Sequence, residues 1–540
     1  MPRTSRRPFV AVGLVAALLA YVGCSRSTPT DAGPGRGAVA PGARPDGGGA
    51  EPEPKPKAGA GSGQGGLADW PRPRAALVVS GEQLGYLEPC GCTEGQLGGL
   101  IRRYELVDRL TRERQWPLAL VDLGSLVKDP AVARGGPEQS KVKFQVALKA
   151  LAALKYDALA LSPEDLKVGV DEAVGQFLNL PGDRLKVVAA NVTAAGLEAR
   201  VVPSVRAKAG AVTFGVTAAV DPGKLKALRD PALDLLTVKP IDEALPAVLA
   251  DLEKDTQVQV LLVQASPETA RALAAKYPGF DVVVCTSPLD APPDEAERLN
   301  GGKTLLVQVG QKGKYVGVVG LFDDPARPFR YHRVTLGAAY DGDAKPMRAV
   351  VEGEFRETLK SQRVAENFPR HDFVGAAPGA TFVGVEGCKD CHKNTYDRWA
   401  GTKHAAAYKS LEADPKPNVV FDAECVTCHT TGFEYTSGWK SPELTASLKG
   451  NQCENCHGPG SKHVESPDNK AYLSAMHLTA DQADKTRLCF RCHDEDNSPH
   501  FSFETYYPRI VHKGLDDYKD PRFHKGRPAK VARQGEGNPR

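Results

Sequence analysis

The feature that most constrains the fold of this chain is a pentapeptide, Cys-x-x-Cys-His, which occurs four times within residues 388–493. Its copies span residues 388–392, 425–429, 453–457 and 489–493. Two residues between the cysteines place both sulfurs on one side of a helical turn, and the histidine follows directly. Because the surrounding segment has few aliphatic side chains, we expect it to fold around the groups that these motifs bind.

The motif is typical of covalent c-type haem attachment. The two sulfurs form thioethers with the vinyl groups of a haem, and the adjoining histidine binds the iron. Zinc sites and disulfides are the alternatives, but neither needs a histidine after every second cysteine. The sequence therefore predicts four covalently bound haem c groups. The attaching cysteines are Cys388, Cys391, Cys425, Cys428, Cys453, Cys456, Cys489 and Cys492, and the iron ligands next to them are His392, His429, His457 and His493.

Histidine is concentrated in the same region, which holds ten of the twelve, from His392 to His524. Of the three methionines only Met476 lies among the motifs. Methionine, which raises haem reduction potentials, is therefore nearly excluded as a ligand, and histidine is expected on both sides of most irons. The candidates for the second axial position are His404, His463, His477, His500, His512 and His524.

A basic segment and an apolar run of fourteen residues, 9–22, open the chain. The run is too short to cross a bilayer comfortably but suits the core of a signal peptide. It ends in Gly23-Cys24-Ser25, which resembles the lipobox of bacterial lipoproteins, where the cysteine becomes the lipidated first residue. Tyr21 is unusual in a lipobox, so cleavage by an ordinary signal peptidase is the alternative. Either route predicts export, and lipidation of Cys24 predicts a membrane anchor in the periplasm or at the outer membrane.

The composition changes several times along the chain and so predicts its domain boundaries. The even spread of acidic and basic residues, with a net charge of +3, gives no reason to expect a nucleic-acid partner. The predicted segments are a signal peptide with lipobox (1–24), a disordered Gly/Pro-rich tether (25–73), an α/β domain (74–344), a connecting helix and linker (345–380), a mainly α multihaem domain (381–515) and a basic flexible tail (516–540).

The α/β assignment rests on short apolar runs that alternate with helical spacing. Helical spacing is found over residues 97–110 and 144–152, and a connecting helix is expected to carry Val351, Phe355 and Leu359 on one face. Strands and helices in alternation predict an α/β fold with a layered sheet. The predicted strands cover residues 75–80, 118–124, 185–191, 212–220, 258–266, 280–286, 304–310 and 315–322.

The C-terminal region resembles the tetrahaem cytochrome c-554 family, which are electron carriers linked to hydroxylamine oxidation. The stretches CHKNTYDRWAGTKHAAAY, CVTCHTTGFEY and CENCHGPGSKH carry the resemblance. It implies that His404 ligates the third haem, His463 the first and His512 the fourth. It also implies that the second haem, on His429, is five-coordinate. An electron carrier of this kind needs redox proteins as donor and acceptor.

The α/β region resembles the metallophosphatase domain of bacterial 5′-nucleotidases and calcineurin-like enzymes, through GGLIRRYELVDRL, LALVDLG, VVAANV, FDVVV and TLLVQVGQKGKYVGVVGLF. These enzymes activate water with two metals held by Asp, Asn and His. Here no Asp-x-His follows the first strand, Ser125 and Gln264 stand at ligand positions, and only Asn191 remains. No histidine precedes His332. We therefore expect a scaffold without phosphatase activity.

Electron transfer is the function that these features favour. Three alternatives remain open. One is a haem enzyme that acts on a small nitrogen or sulfur compound at an open second haem. Another is a metal-dependent phosphoesterase, and the third is a binding module whose α/β domain captures a partner or ligand.

A separate hypothesis concerns Cys90, Cys92 and Cys285, which follow two strands of the α/β region. They could meet as a disulfide plus a free thiol, or as a small metal site. Unrelated packing cysteines are the alternative.

Overall fold

A computed structural model describes residues 66–89 and 95–516. The signal peptide, Cys24, most of the expected tether, Cys90, Cys92, His524 and nearly all of the basic tail lie outside these described residues. Within them, an α/β part is followed by a helical part, and both belong to one compact unit. No helix of the described ranges is long and apolar enough to cross a membrane.

The strands belong almost entirely to the first part of the chain. They are β1 (Ala75–Ser80), β2 (Leu118–Asp122), β3 (Ala158–Ala160), β4 (Lys186–Val188), β5 (Val192–Ala194), β6 (Val201–Val202), β7 (Ser204–Ala209), β8 (Val212–Ala219), β9 (Leu236–Val238), β10 (Val258–Val263), β11 (Val282–Thr286), β12 (Glu297–Leu299), β13 (Thr304–Val309), β14 (Tyr315–Leu321) and β15 (Phe329–Thr335).

The helices are distributed over both parts. Those of the α/β part and the connection are α1 (Leu100–Asp108), α2 (Gly136–Ala153), α3 (Val170–Leu178), α4 (Pro222–Ala227), α5 (Ile241–Leu252), α6 (Pro267–Lys276), α7 (Lys345–Arg348) and α8 (Phe355–Ser361). Those of the motif region are α9 (Glu386–Lys389), α10 (Lys393–Ala400), α11 (Ala407–Glu412), α12 (Ala423–His429), α13 (Cys453–His457), α14 (Ser461–Glu465), α15 (Lys470–Met476), α16 (Ala480–Lys485) and α17 (Phe503–Tyr506).

The strands form two large sheets and one small one. The first has the order β15-β14-β1-β2-β3-β4-β6, the second β12-β13-β11-β10-β8-β7, and β5 pairs with β9. Strands β1, β2, β3, β4 and β6 are parallel, whereas β14 and β15 run antiparallel to their neighbours. In the second sheet β8, β10, β11 and β13 are parallel. The carboxyl ends of the parallel strands in each sheet therefore lie along one edge.

The two large sheets pack face to face, with helices on both outer sides. Along β1 the side chains alternate: Leu77 and Val79 face the second sheet, while Ala76 and Val78 face the helices. Strands buried on both faces need apolar residues at every position, which is why they appear in the sequence as continuous apolar runs. The structure thus confirms the layered α/β fold, which has two stacked sheets.

Packing in the structure reaches beyond two of the expected segment boundaries. The tether was expected to reach residue 73, but Leu67 is buried and Trp70 stacks on Trp116 with ring centroids 6.2 Å apart. The chain therefore packs from Leu67 onwards because these two apolar side chains find partners in the fold. At the other end, Asp516 is buried and accepts hydrogen bonds from the backbone amides of Asn394 and Thr395. Asp516 thus belongs to the helical part.

The connection between the two parts is helical, as predicted. It runs from Lys345 to Ser361 through α7, a wider helical turn and α8. Val351, Phe355 and Leu359 are all buried against the helices of the α/β part. The predicted apolar face is therefore confirmed, and the connection is part of the α/β core.

The helical part has a small hydrophobic core for its length. Its helices have four to eight residues each, and its one apolar cluster is centred on the fully buried Trp439. Isolated helices this short are unstable in water, so their stability must come from tertiary packing. The stability of the helical part must therefore come largely from groups other than aliphatic side chains.

Candidate haem-binding site

The eight motif cysteines lie on short helical segments of the helical part or directly after them. Three motifs begin within α9, α12 and α13, and the fourth begins in the 3-10 turn Cys489–Arg491. All eight are half-buried. A thiol in this state is accessible to a vinyl group while its backbone is fixed by the helical turn.

Cysteines of different motifs contact one another. The side chains of Cys388 and Cys453 are within hydrogen-bonding contact, as are those of Cys428 and Cys492. Burial, together with the nearby Cys489, raises the pKa of the Cys456 thiol to about 11. The motifs are therefore neighbours in the order first, third, fourth, second.

Three motif histidines each face a second histidine ring. The ring centroids of His392 and His463 are 6.2 Å apart, those of His404 and His493 are 6.1 Å apart, and those of His457 and His512 are 5.7 Å apart. An imidazole nitrogen lies about 2 Å from a metal that it binds, and the ring centre lies about 1 Å behind that nitrogen. Two rings on opposite sides of one metal therefore have centres about 6 Å apart. The three observed separations fit an iron between each pair.

The hydrogen bonds of the motif histidines leave one nitrogen available for iron. Nδ1 of His429 lies 2.6 Å from the carbonyl of Ala407, and Nδ1 of His457 lies 2.7 Å from that of Met476. Nδ1 of His493 lies 2.9 Å from the hydroxyl of Ser498. A histidine that donates through one ring nitrogen is fixed in the tautomer that ligates through the other. These acceptors have no local sequence signal, because the chain fold alone brings them to the rings.

Burial affects the charge of the paired rings. It lowers the pKa of five of them, His392, His404, His457, His463 and His493. A neutral imidazole is the form that binds a metal. Nδ1 of His463 is also buried without a hydrogen-bond partner. An orphaned ring nitrogen of this kind is rare in a completed fold and fits a site that is finished by a bound group.

The pairing differs from the family-based expectation at two of the three pairs. His463 lies opposite His392 of the first motif, as expected. His404, however, faces His493 of the fourth motif instead of the third, and His512 faces His457 of the third instead of the fourth. The physical reason lies in the backbone: the carbonyl of His404 accepts from the amide of Asn451 beside the third motif, while its ring extends away to the fourth.

The second motif has no such pair. His429 faces no histidine ring among the described residues, and its ring is held on one side by Ala407 and Ser410. Neither His477 nor His500 makes a ring contact with it in the described ranges. The second motif therefore differs from the other three in its surroundings.

A buried polar network occupies the carboxyl ends of β1 and β2 in the α/β part. Arg103 is fully buried, and its Nη1 lies 3.3 Å from Asp122 and 3.2 Å from Ser80. Ser80 donates to Asp122 at 2.5 Å and contacts the hydroxyl of Tyr156 at 2.8 Å. Burial raises the pKa of Asp122, and it raises that of nearby Glu82 to about 7. An internal guanidinium is thus the direct counter-ion of the carboxylate at this edge.

The neighbouring positions that a metal would use make internal hydrogen bonds. The amide of Asn191 bonds the backbone of Val220 and Lys239 at 2.8 to 3.0 Å. Gln264 donates to the carbonyl of Leu123 at 2.8 Å and to Ser125 at 3.2 Å. Gln264 approaches so closely that a Cβ on Gly124, whose φ is +88°, would lie 2.8 Å from its amide nitrogen. Among the described residues, no three His, Cys, Asp or Glu side chains converge as a metal site.

Cys285 is part of the hydrophobic core of the second sheet. Its side chain is fully buried between this sheet and helices α5 and α6, in a cluster with Leu245, Leu249, Ala270 and Ala274. Burial raises the pKa of its thiol to about 12. Cys285 is therefore a packing residue of this core, while Cys90 and Cys92 lie outside the described residues, so that their meeting with Cys285 stays a hypothesis.

Comparisons with known proteins match the two parts of the chain separately. Residues 387–458, which include the first three motifs, match the model of the family described as cytochrome c554 and c-prime. Cytochrome c-554 of Nitrosomonas europaea is 35% identical over 96 residues, which are 16% of this chain and 41% of that protein. The chain thus spans less than half the length of this curated relative.

Among solved structures, the 5′-nucleotidase precursor of Thermus thermophilus has a TM-score of 0.45 at 18% identity, over 66% of this chain and 74% of that one. A calcineurin-like phosphoesterase of Bacillus subtilis has a TM-score of 0.44 at 17% identity, over 54% and 98%. Residues 387–458, around the first three motifs, are thus similar to the cytochrome c554 and c-prime family, which indicates a c-type cytochrome in this part of the chain.

Proposed function

We propose that this protein is an exported tetrahaem c-type cytochrome that transfers electrons between redox proteins. The observation that carries the proposal is the set of three histidine pairs, each of which joins one motif histidine to His404, His463 or His512 at the spacing of two ligands on one iron. In such a site, haem supplies a one-electron couple at its iron. The motif cysteines would attach it, and the paired histidines would hold its iron and exclude other ligands from it.

The neighbouring cysteines support an electron path through all four motifs. Thioethers at these sulfurs would join the chain to the haem edges, so contacts between Cys388 and Cys453, and between Cys428 and Cys492, would bring the edges of different haems together. The proximity of Cys456 and Cys489 links the third motif to the fourth. We propose the order first, third, fourth, second.

A haem count tests the proposal directly. Intact-mass measurement of the exported protein, with a pyridine haemochrome assay, is expected to give four covalent haems per chain. The matched control is the Cys489→Ser/Cys492→Ser variant, which is expected to give three. Fewer than four haems in the native protein, or zinc in their place, would contradict the proposal.

The absence of a ring partner for His429 among the described residues supports a second candidate function. An iron with one strong ligand binds small molecules, so the second haem would act on a small nitrogen or sulfur compound. We expect a high-spin fraction that shifts when cyanide or nitric oxide is added. A fully low-spin spectrum that neither ligand changes would leave electron transfer alone.

The same proposal includes the location of the protein. Haem attachment in bacteria occurs outside the cytoplasm, and Cys24 in its lipobox-like context supplies a lipid anchor. Labelling with a fatty acid analogue tests the anchor, with Cys24→Ser as the control. Export without label would support ordinary signal-peptide cleavage instead.

A further inference from the structure

One arginine of the α/β part reaches into the haem motifs. Arg134 lies in the loop between β2 and α2, more than 290 residues before the second motif. Its Nη1 is 3.4 Å from Sγ of Cys428. Its Nη2 donates to the carbonyl of Arg491 at 3.2 Å and to the carboxylate of Asp494 at 2.5 Å. A single guanidinium therefore contacts the second and the fourth motif at once.

The point that Arg134 contacts is where these two motifs meet. Cys428 and Cys492 are in side-chain contact, and the charge of Arg134 acts on both sulfurs. The thioethers formed at these sulfurs would be the adjoining edges of the second and fourth haems. Arg134 thus lies at the junction that an electron crosses between them.

Neighbouring contacts hold Arg134 in this position. Gln139, from the first turn of α2, donates to Asp422 at 2.8 Å and accepts from the amide of Ala423 at 2.9 Å. One turn further along α2, Lys143 pairs with Glu424 at 2.6 Å. Asp422, Ala423 and Glu424 form the N-terminus of α12, which carries Cys425 and Cys428. The start of α2 is therefore fixed against the helix of the second motif.

We propose that Arg134 is a positioning residue through which the α/β part raises the reduction potentials of the second and fourth haems and holds their edges together. A guanidinium stays charged at every physiological pH. Positive charge beside a haem favours the reduced iron, which carries one positive charge less. Asp494 offsets part of this effect, and removal of Arg134 leaves that carboxylate uncompensated beside the same haems. The loss of the positive charge and the uncompensated carboxylate would both lower the two reduction potentials.

The test is a spectroelectrochemical titration of the full-length holoprotein, and it rests on the proposed haem content. In Arg134→Gln, two of the four reduction potentials are expected to fall and the other two to stay unchanged. Arg134→Lys keeps the charge but not the forked geometry, so both of these potentials should stay close to their native values. The control is Lys141→Gln, which removes one positive charge from α2, where Lys141 pairs with Glu138 of its own helix at 2.8 Å.

The outcomes separate this inference from the proposed function. Four haems by mass with unchanged potentials in Arg134→Gln would overturn the role of Arg134 and leave the tetrahaem proposal intact. Equal shifts of the potentials in Arg134→Gln and Lys141→Gln would also overturn it, because the potentials would then depend on the net charge of the chain and not on the position of Arg134. Fewer than four haems in the native protein would refute the proposed function before any potential is measured.

Discussion

Replacement of His404 decides between two assignments of an axial ligand. The family resemblance puts His404 on the third haem, whereas its ring centroid lies 6.1 Å from that of His493 in the fourth motif. Two imidazoles that share one iron have ring centres about 6 Å apart, and His457 already has His512 at 5.7 Å. His404→Ala is therefore expected to remove one ligand from the fourth haem only.

The expected size of the effect follows from the haem count. One iron in four loses its second nitrogen ligand, so about a quarter of the total haem should change from low-spin to high-spin. Electron paramagnetic resonance and the visible spectrum of the oxidised protein measure this fraction. His477→Ala is the matched control, because His477 lies in the same region but is not a member of the three ring pairs in the described part of the chain, and it should leave the spin state unchanged.

Combining His404→Ala with variants that lack one haem identifies which haem responds. In Cys489→Ser/Cys492→Ser, where the fourth haem is missing, His404→Ala should add no further high-spin signal. In Cys453→Ser/Cys456→Ser, it should still add one. The reverse pattern would refute the pairing of His404 with His493 and restore the assignment to the third haem. Haem counts by mass show in each background that the intended haem alone was lost.

The remaining predictions concern the α/β part and haem attachment. Arg103→Met leaves the buried Asp122 without its guanidinium and should lower the free energy of unfolding, measured by urea denaturation, by about 3–5 kcal/mol. The double variant Arg103→Met/Asp122→Leu should recover most of this loss, whereas an unchanged stability of Arg103→Met would contradict the argument. Burial raises the pKa of Glu82 from 4.5 to about 7, so the folded state binds this proton more tightly. The contribution of Glu82 to stability should fall as the pH rises from 4.5 to 7, by at most about 1.4 kcal/mol per pH unit, and Glu82→Gln should make the measured slope shallower by that amount. Cys428→Ser should weaken attachment of the second haem alone, and loss of other haems in its mass spectrum would show that the sites depend on each other.

Much of the fold follows from local patterns. Continuous apolar runs such as Val258–Val263 become strands buried on both faces, and all eight predicted strands are present within a few residues. Runs of two or three residues, such as β3 and β6, are too short to show a period, and their pairing comes from the sheet around them. Packing also extends beyond the expected end of the tether and the expected end of the helical part, because Trp70 and Asp516 contact partners that are distant in sequence.

The sequence by itself determined the predicted points of haem attachment, because attachment needs only two thiols and a histidine within five residues. The tertiary structure alone decided which histidine rings face each other, since His404, His463 and His512 reach their partners from 55 to 89 residues away in sequence. It also decided that Arg134 contacts the second and fourth motifs across some 300 residues. Covalent motifs depend on spacing along the chain, whereas ligand pairing and electrostatic contacts depend on how separate helices pack, and no local pattern encodes that packing.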